Sequence, residues 1–222
     1  MVKVWCLIIG YLFGLIQTAY LYGRIHGIDI RTVGSGNAGT TNTLRVLGPK
    51  AGLIVLIGDM LKTVVAIIVV KLVFGNMYPE LEYLLMLYTA FGAVLGHNYP
   101  FYMGFKGGKG IAATSGMIIS FNPWFILVGV FSFFGPFLIT KYVSLGSLSL
   151  NLFFFIQMIV WGQCGLFPID ISQPVLIEMY IVTFLICAMA FWRHRGNIKK
   201  LLDGTERKTY VFHKPEGHDN AE

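Results

Sequence analysis

Apolar runs long enough to cross roughly 30 Å of hydrocarbon recur along almost the whole chain, and that recurrence constrains the fold more than any other feature. Inside a bilayer every backbone N–H and C=O must find its partner within the protein, so runs of this kind read as helices. Composition agrees: 55% of the 222 residues are hydrophobic, 13% are charged and the mean hydropathy is +0.68. A charged fraction near half the ~25% typical of soluble domains points to an integral membrane protein. The expectation is an all-α, polytopic membrane protein of about seven transmembrane helices. The predicted crossings are Val4 to Tyr22, Ala51 to Phe74, Leu81 to Gly96, Ile111 to Phe121, Trp124 to Thr140, Ser147 to Trp161 and Val175 to Trp192. The fourth is short, ended by Asn122-Pro123, and either spans obliquely or lies in the bundle as a half-length helix.

Local features refine this picture. Gly10 and Gly14 form a GxxxG pair, read either as close helix packing or as a lipid-facing helix that tolerates glycine. Asp59 and Lys62 share one face of the second span; a structural ion pair that anchors the neighbouring loop is favoured over a direct chemical role. Cys6, Cys164 and Cys187 have no CxxC or Cys/His spacing, so neither a disulfide framework nor a zinc site is indicated. The first apolar run follows Lys3, but no small-x-small cleavage site follows it, which argues against a signal peptide. No internal repeat argues for a transporter-type inverted duplication.

The net charge of +6 and pI near 9.2 are explained by loop asymmetry rather than nucleic-acid binding. Arg24, Arg31, Arg45, Lys50, Lys106, Lys109, Lys141 and the basic residues from Arg193 onward fall on one side. Lys3 is the basic residue assigned to the other side, which holds Glu80, Glu82, Asp170 and Glu178; Lys62 and Lys71 lie within the second span. The positive-inside rule therefore predicts an outside N-terminus and a cytoplasmic C-terminus. Trp5, Trp124 and Trp161 then sit near the outer interface and Trp192 near the inner one.

Three polar segments interrupt the apolar background on that predicted cytoplasmic side. The first runs from Ser35 through Gly36, Asn37, Gly39, Thr41 and Asn42 to Arg45. The second is Gly96-His97-Asn98-Tyr99-Pro100 through Lys106-Gly107-Gly108-Lys109-Gly110. Its glycines permit tight turns with converging amides, its lysines add charge, and a helix starting at Ile111 would present its N-terminus to an anion. It is not a Walker loop, because Gly110 follows Lys109 where Ser or Thr is needed. The alternative is a polar loop whose lysines touch lipid headgroups. The third segment runs from Arg193-His194 through Asn197 and Lys199-Lys200 to Glu206. Three such segments on one side favour a shared site for phosphate-bearing substrates.

These segments resemble the three signature motifs of the bacterial acyl-phosphate:glycerol-3-phosphate acyltransferase family, PlsY. The Asp59-x-x-Lys62 pair and the Lys141-to-Ser147 loop belong to the same resemblance, which covers the chain except its far tail. Lys200 stands where the family often has arginine, keeping the charge but not the planar fork. The resemblance implies transfer of a fatty acyl group from acyl phosphate to the 1-hydroxyl of sn-glycerol 3-phosphate, giving lysophosphatidic acid and inorganic phosphate in the bacterial cytoplasmic (inner) membrane. It implies a single transmembrane acyltransferase domain, taken as residues 1–208; the polar, Gly/Pro-containing composition beyond Lys208 marks 209–222 as a cytoplasmic tail.

In that frame Ser35, Gly36, Asn37, Gly39, Thr41 and Asn42 bind phosphate and Arg45 neutralises charge building on the leaving group or carbonyl oxygen. Ser35 is either nucleophile or hydrogen-bond donor, the latter preferred because no His/Asp pairing nearby activates it. Lys106, Gly107, Gly108, Lys109 and Gly110 hold glycerol 3-phosphate, and His194 and Asn197 orient its hydroxyl. His97, Asp59, Lys62, Ser144 and Glu206 support the site. No aspartate cluster for a divalent metal is present, and neither a metal, a cofactor nor an obligatory protein partner is expected. A transporter for organic phosphate is the rival, disfavoured because the charges gather at one face and not near the midplane.

Overall fold

Residues 1–210 are described by a computed structural model, and the backbone satisfies itself throughout by helix: ten α-helices and no strand among the described residues. They are α1 (Val2–Gly14), α2 (Thr18–Ile25), α3 (Thr40–Leu47), α4 (Pro49–Phe74), α5 (Glu82–Asn98), α6 (Ile111–Phe121), α7 (Pro123–Thr140), α8 (Val143–Gln163), α9 (Gln173–Arg193) and α10 (Arg195–Leu202). Five stretches are long and apolar enough to cross a membrane: Val2–Ile25, which joins α1 and α2, and helices α4, α7, α8 and α9. The 17 residues of α5 rise ~25 Å and the 11 of α6 only ~16 Å, so α6 is the half-length helix. Residues 211–222, and with them most of the expected tail, lie outside the described residues.

The first span is not one helix as expected. It stops after Gly14 and restarts at Thr18, because buried side chains take up the carbonyls released by the break. Lys62 Nζ donates to Ile16 O at 2.7 Å and to Gly14 O at 3.4 Å. Gln17 Nε2 donates to Gly14 O, Gly96 O and His97 O at 3.1–3.3 Å. The same Lys62 ammonium lies 2.9 Å from Asp59 Oδ1 and 2.8 Å from His97 Nδ1, and Asp59 accepts the Thr18 hydroxyl at 3.0 Å. Lys62 is 4% exposed and Asp59 1%. This ion pair therefore seals a broken helix and ties it to the end of α5.

Helix α5 is the central post, with 13 of its 17 residues buried. It meets α1 backbone to backbone, because Gly10 and Gly14 face a second small-residue pair, Gly92 and Gly96. A methyl on Gly14 would fall 2.9 Å from Gly96 Cα, and one on Gly92 would fall 2.9 Å from Tyr11 N. Without a hydrophobic drive between helices in lipid, such close approach is what makes two apolar helices associate. Gly116 does the same for α6 on α4, where a methyl would sit 3.0 Å from the Met60 carbonyl carbon. The aromatic cluster of Tyr83, Phe121, Phe125, Phe154, Trp161 and Phe167 packs the other part of the bundle. Lys3 pairs with Glu178 and Lys71 with Glu82, each at 2.6 Å.

Three further details differ from expectation. The Lys141-to-Ser147 segment is mostly the first turns of α8, preceded by Lys141 in a left-handed conformation (φ 64°). The third polar segment contains the helix α10. Thr209, assigned to the tail, is 4% exposed and donates its N–H to Lys141 O at 2.9 Å.

Candidate active site

The first polar segment is shaped from below by Asn42. Its amide nitrogen donates to Ile30 O (2.9 Å) and Val33 O (3.1 Å), and its Oδ1 accepts the Ser35 N–H at 2.7 Å. Asn42 is 1% exposed and its side chain is bonded to backbone at both ends, so it braces the loop from behind. The Ser35 amide is likewise occupied. Gly34 takes a left-handed turn (φ 63°) over Asn42 that delivers Ser35, Gly36 and Asn37 to the surface of a cavity. No His, Asp or Glu among the described residues hydrogen-bonds the Ser35 hydroxyl, which supports the donor over the nucleophile reading.

The glycine loop also differs from the expected ring of converging amides. Gly107 N–H donates to Asn98 O and Gly108 N–H to His97 O, both at 3.1 Å, so these amides sew the loop to the end of α5. Their carbonyls accept the Arg193 guanidinium: Nη2 to Gly107 O at 2.9 Å, and Nη2 and Nε to Gly108 O at 2.7 and 3.1 Å. A side chain at Gly108 would collide with the His97 imidazole and lie 2.7 Å from Ala38 O. Gly108 thus serves close packing, and the loop contributes Lys106, Gly107 and Lys109 to the cavity wall.

The third segment supplies a chain of polar contacts. Lys109 Nζ donates to Asn197 Oδ1, Asn197 Nδ2 donates to Glu206 Oε1 at 2.7 Å, and the buried Ser144 hydroxyl donates to the same oxygen at 2.9 Å. Burial is the largest influence on Lys109 and, with the nearby Arg193, Arg45 and Lys200 charges, brings its pKa down to about 8 against the opposing pull of Glu206. His194 is 3% exposed, with Nδ1 2.8 Å from Ala190 O, and burial followed by the Lys109 charge lowers its pKa to about 4. It sits at the C-terminal end of α9 and lines neither cavity.

Two adjoining cavities result. The larger, about 680 Å³, is lined by Ser35, Gly36, Asn37, Lys106, Gly107, Lys109 and Asn197, so residues of all three segments meet there. The smaller, about 240 Å³, is lined by Arg45, Glu206 and Arg207 and shares Ser35, Asn197 and Lys200 with the first. Burial lowers the Arg45 pKa, with Glu206 opposing and Arg207 reinforcing the shift. Gly39, Thr41, Asn42, Gly108, Gly110, His97, Asp59, Lys62 and Ser144 line neither.

Sequence reasoning passed over Arg31, Arg193, Arg195 and Lys200 as site residues, although all four line the larger cavity. Arg31 is fixed by a bidentate pair with Asp29, whose carboxyl is held down near pKa 2 chiefly by that guanidinium, and it stacks over Tyr20 at 4.8 Å. The available signal is the position of each cation beside a glycine-bearing motif; Arg193 and Lys200 belong to the third polar segment without a role of their own in the expected site.

Known proteins share this sequence and fold. A family model described as glycerol-3-phosphate acyltransferase matches residues 4–204. The glycerol-3-phosphate acyltransferase of Clostridioides difficile (strain 630) is 40% identical over 203 residues, covering 90% of this chain and 92% of that protein. That of Halalkalibacterium halodurans is 39% identical over 207 residues, covering 92% and 94%. Among solved structures, the glycerol 3-phosphate form of PlsY (YgiH), an integral membrane glycerol 3-phosphate acyltransferase, gives a TM-score of 0.79 at 32% identity, covering 94% of this chain and 96% of that one. Its lysophosphatidic acid form gives 0.77 at 31% identity, with the same coverage. Since sequence and fold agree, the chain belongs to the glycerol-3-phosphate acyltransferase family of integral membrane enzymes.

Proposed function

We propose that this enzyme moves a fatty acyl group from acyl phosphate to the 1-hydroxyl of sn-glycerol 3-phosphate, giving lysophosphatidic acid and inorganic phosphate. The observation that carries the reading is the pair of adjoining cavities, each with its own cations and with Ser35, Asn197 and Lys200 as their common wall. Two phosphate-bearing reactants need two anion cradles close enough for their reacting atoms to meet. The larger cavity, with Lys106 and Lys109, takes glycerol 3-phosphate; Arg45 in the smaller takes the donor's phosphate.

The chemistry then needs little beyond positioning and charge. The substrate hydroxyl oxygen attacks the acyl carbonyl carbon, the bond from that carbon to the phosphate oxygen breaks, and the electron pair leaves with the phosphate. Arg45 and Lys200 stabilise the charge that builds there. The proton of the attacking hydroxyl passes to the departing phosphate. Two features support this route over a protein base: Glu206 is already held by Asn197 and Ser144, and His194 is buried against Ala190 O.

The site faces the cytoplasm of the bacterial inner membrane, with the N-terminus outside. The count of basic residues supports this orientation, and so does the pairing of Lys3 and Lys71 with glutamates. Purified protein in detergent, given palmitoyl phosphate and glycerol 3-phosphate, is expected to release inorganic phosphate only when both are present. Phosphate release that ignores glycerol 3-phosphate would refute the proposal, as would anion flux in proteoliposomes without acyl transfer.

A further inference from the structure

Arg45 reaches the smaller cavity from the last turn of α3, and what holds its guanidinium comes from far along the chain. Nη2 donates to the Thr209 hydroxyl at 2.6 Å and to Arg207 O at 3.2 Å. Thr209 itself is 4% exposed, and its N–H is tied at 2.9 Å to the carbonyl of Lys141, the left-handed residue between α7 and α8. Three and four residues earlier the same stretch is fixed at its other end, where the Glu206 and Thr205 amides donate to Lys200 O at 3.1 and 2.8 Å. Glu206 is further held by Ser144 and Asn197. Residues 205–209 therefore run as an anchored strap from α10 over the start of α8 to Arg45.

We propose that Thr209 is a positioning residue for the transfer reaction, one that sets the pose of Arg45 over the smaller cavity. It lies beyond residue 204, where the family match ends, and within the stretch that composition marks as tail. A long arginine side chain has several rotatable bonds, and an unheld guanidinium at a cavity edge spreads over many rotamers. The Thr209 oxygen, fixed through its own backbone, selects one of them. This inference rests on the assignment of Arg45 to the donor phosphate.

The test is a double-mutant cycle in the full-length protein with Thr209→Val and Arg45→Lys, read by acyl transfer and, separately, by calorimetric binding of inorganic phosphate. Thr209→Val is expected to lower kcat by about tenfold while the KM for glycerol 3-phosphate moves less than about twofold, and to weaken phosphate binding by a similar factor. Thr209→Ser restores both. In the Arg45→Lys background Thr209→Val adds almost nothing. The inference is overturned if the two substitutions act independently, or if Thr209→Val binds phosphate and turns over as the unmodified enzyme does. Coupled phosphate binding without any acyl transfer would keep the strap and remove the reaction assigned to the site, so the two failures are told apart.

Discussion

Replacing Lys62 by Met tests the seal at the break between α1 and α2. Methionine keeps most of the volume and removes only the ammonium. In the intact protein that ammonium serves Asp59 Oδ1 at 2.9 Å, Ile16 O at 2.7 Å and His97 Nδ1 at 2.8 Å, with both members of the ion pair at most 4% exposed. Its loss leaves a buried carboxylate with only the Thr18 hydroxyl and the part-buried Ile16 carbonyl without its donor. Breaking a buried pair from one side costs about 3–5 kcal/mol, most of it from the stranded charge. Adding Asp59→Asn removes that charge, so the double variant should recover about 2–3 kcal/mol and retain only the roughly 1–2 kcal/mol of the orphaned carbonyl. The measurement is equilibrium unfolding in mixed micelles with increasing denaturing detergent, followed by helical circular dichroism. A Lys62→Met protein within about 1 kcal/mol of the parent, or a double variant no better than the single, would refute the reasoning.

Other outcomes follow from the same geometry. Lys109, with a pKa near 8, is charged below that pH and neutral above it, so the KM for glycerol 3-phosphate should climb as pH passes about 8, and Lys109→Met should abolish that climb. The unfolded chain holds this proton up to higher pH, so the same group makes stability rise between about pH 8 and the ordinary lysine pKa of about 10.4. His194, lowered to about 4, stays neutral through the assay range; stability should fall as pH drops from about 6.5 toward 4, and His194→Gln should flatten that fall in pH-dependent unfolding. Arg193→Lys keeps one charge but loses the fork on the Gly107 and Gly108 carbonyls, so kcat/KM should drop about tenfold or more with little change in melting; an unchanged kcat/KM would show that the clamp does not matter. Lys106→Ala should raise the KM for glycerol 3-phosphate and leave that for palmitoyl phosphate nearly unchanged, and normal saturation would remove Lys106 from the cradle.

The membrane architecture was readable from the sequence because hydrophobic runs report directly on the solvent that surrounds them. The gathering of Ser35, Lys109 and Asn197 was readable because polar residues concentrated where the predicted topology put one face of the bundle. What escaped was the division of labour inside the motifs. Gly108 and Asn42 look like anion binders when read locally, yet the first is needed for its missing side chain and the second for its three backbone partners. Those roles depend on His97, Ala38 and Ile30, which approach only after folding. The break at residues 15–17 was hidden for the same reason: Leu15-Ile16-Gln17 is apolar enough to continue a helix, and what stops it is a lysine 45 positions beyond Gln17. Thr209 carried no signal at all, since a lone threonine among charged residues looks like any exposed tail.

The seam between α1 and α5 has one more implication. Where two helices touch through leucines or phenylalanines, the contact can be re-sorted by rotating bonds; where Gly14 rests on Gly96 there is nothing to rotate. That side of the molecule acts as a welded joint. The contact of α7 with α8 is of the other kind: Phe125 packs against Phe154 and Trp161, rings whose torsions can be re-sorted.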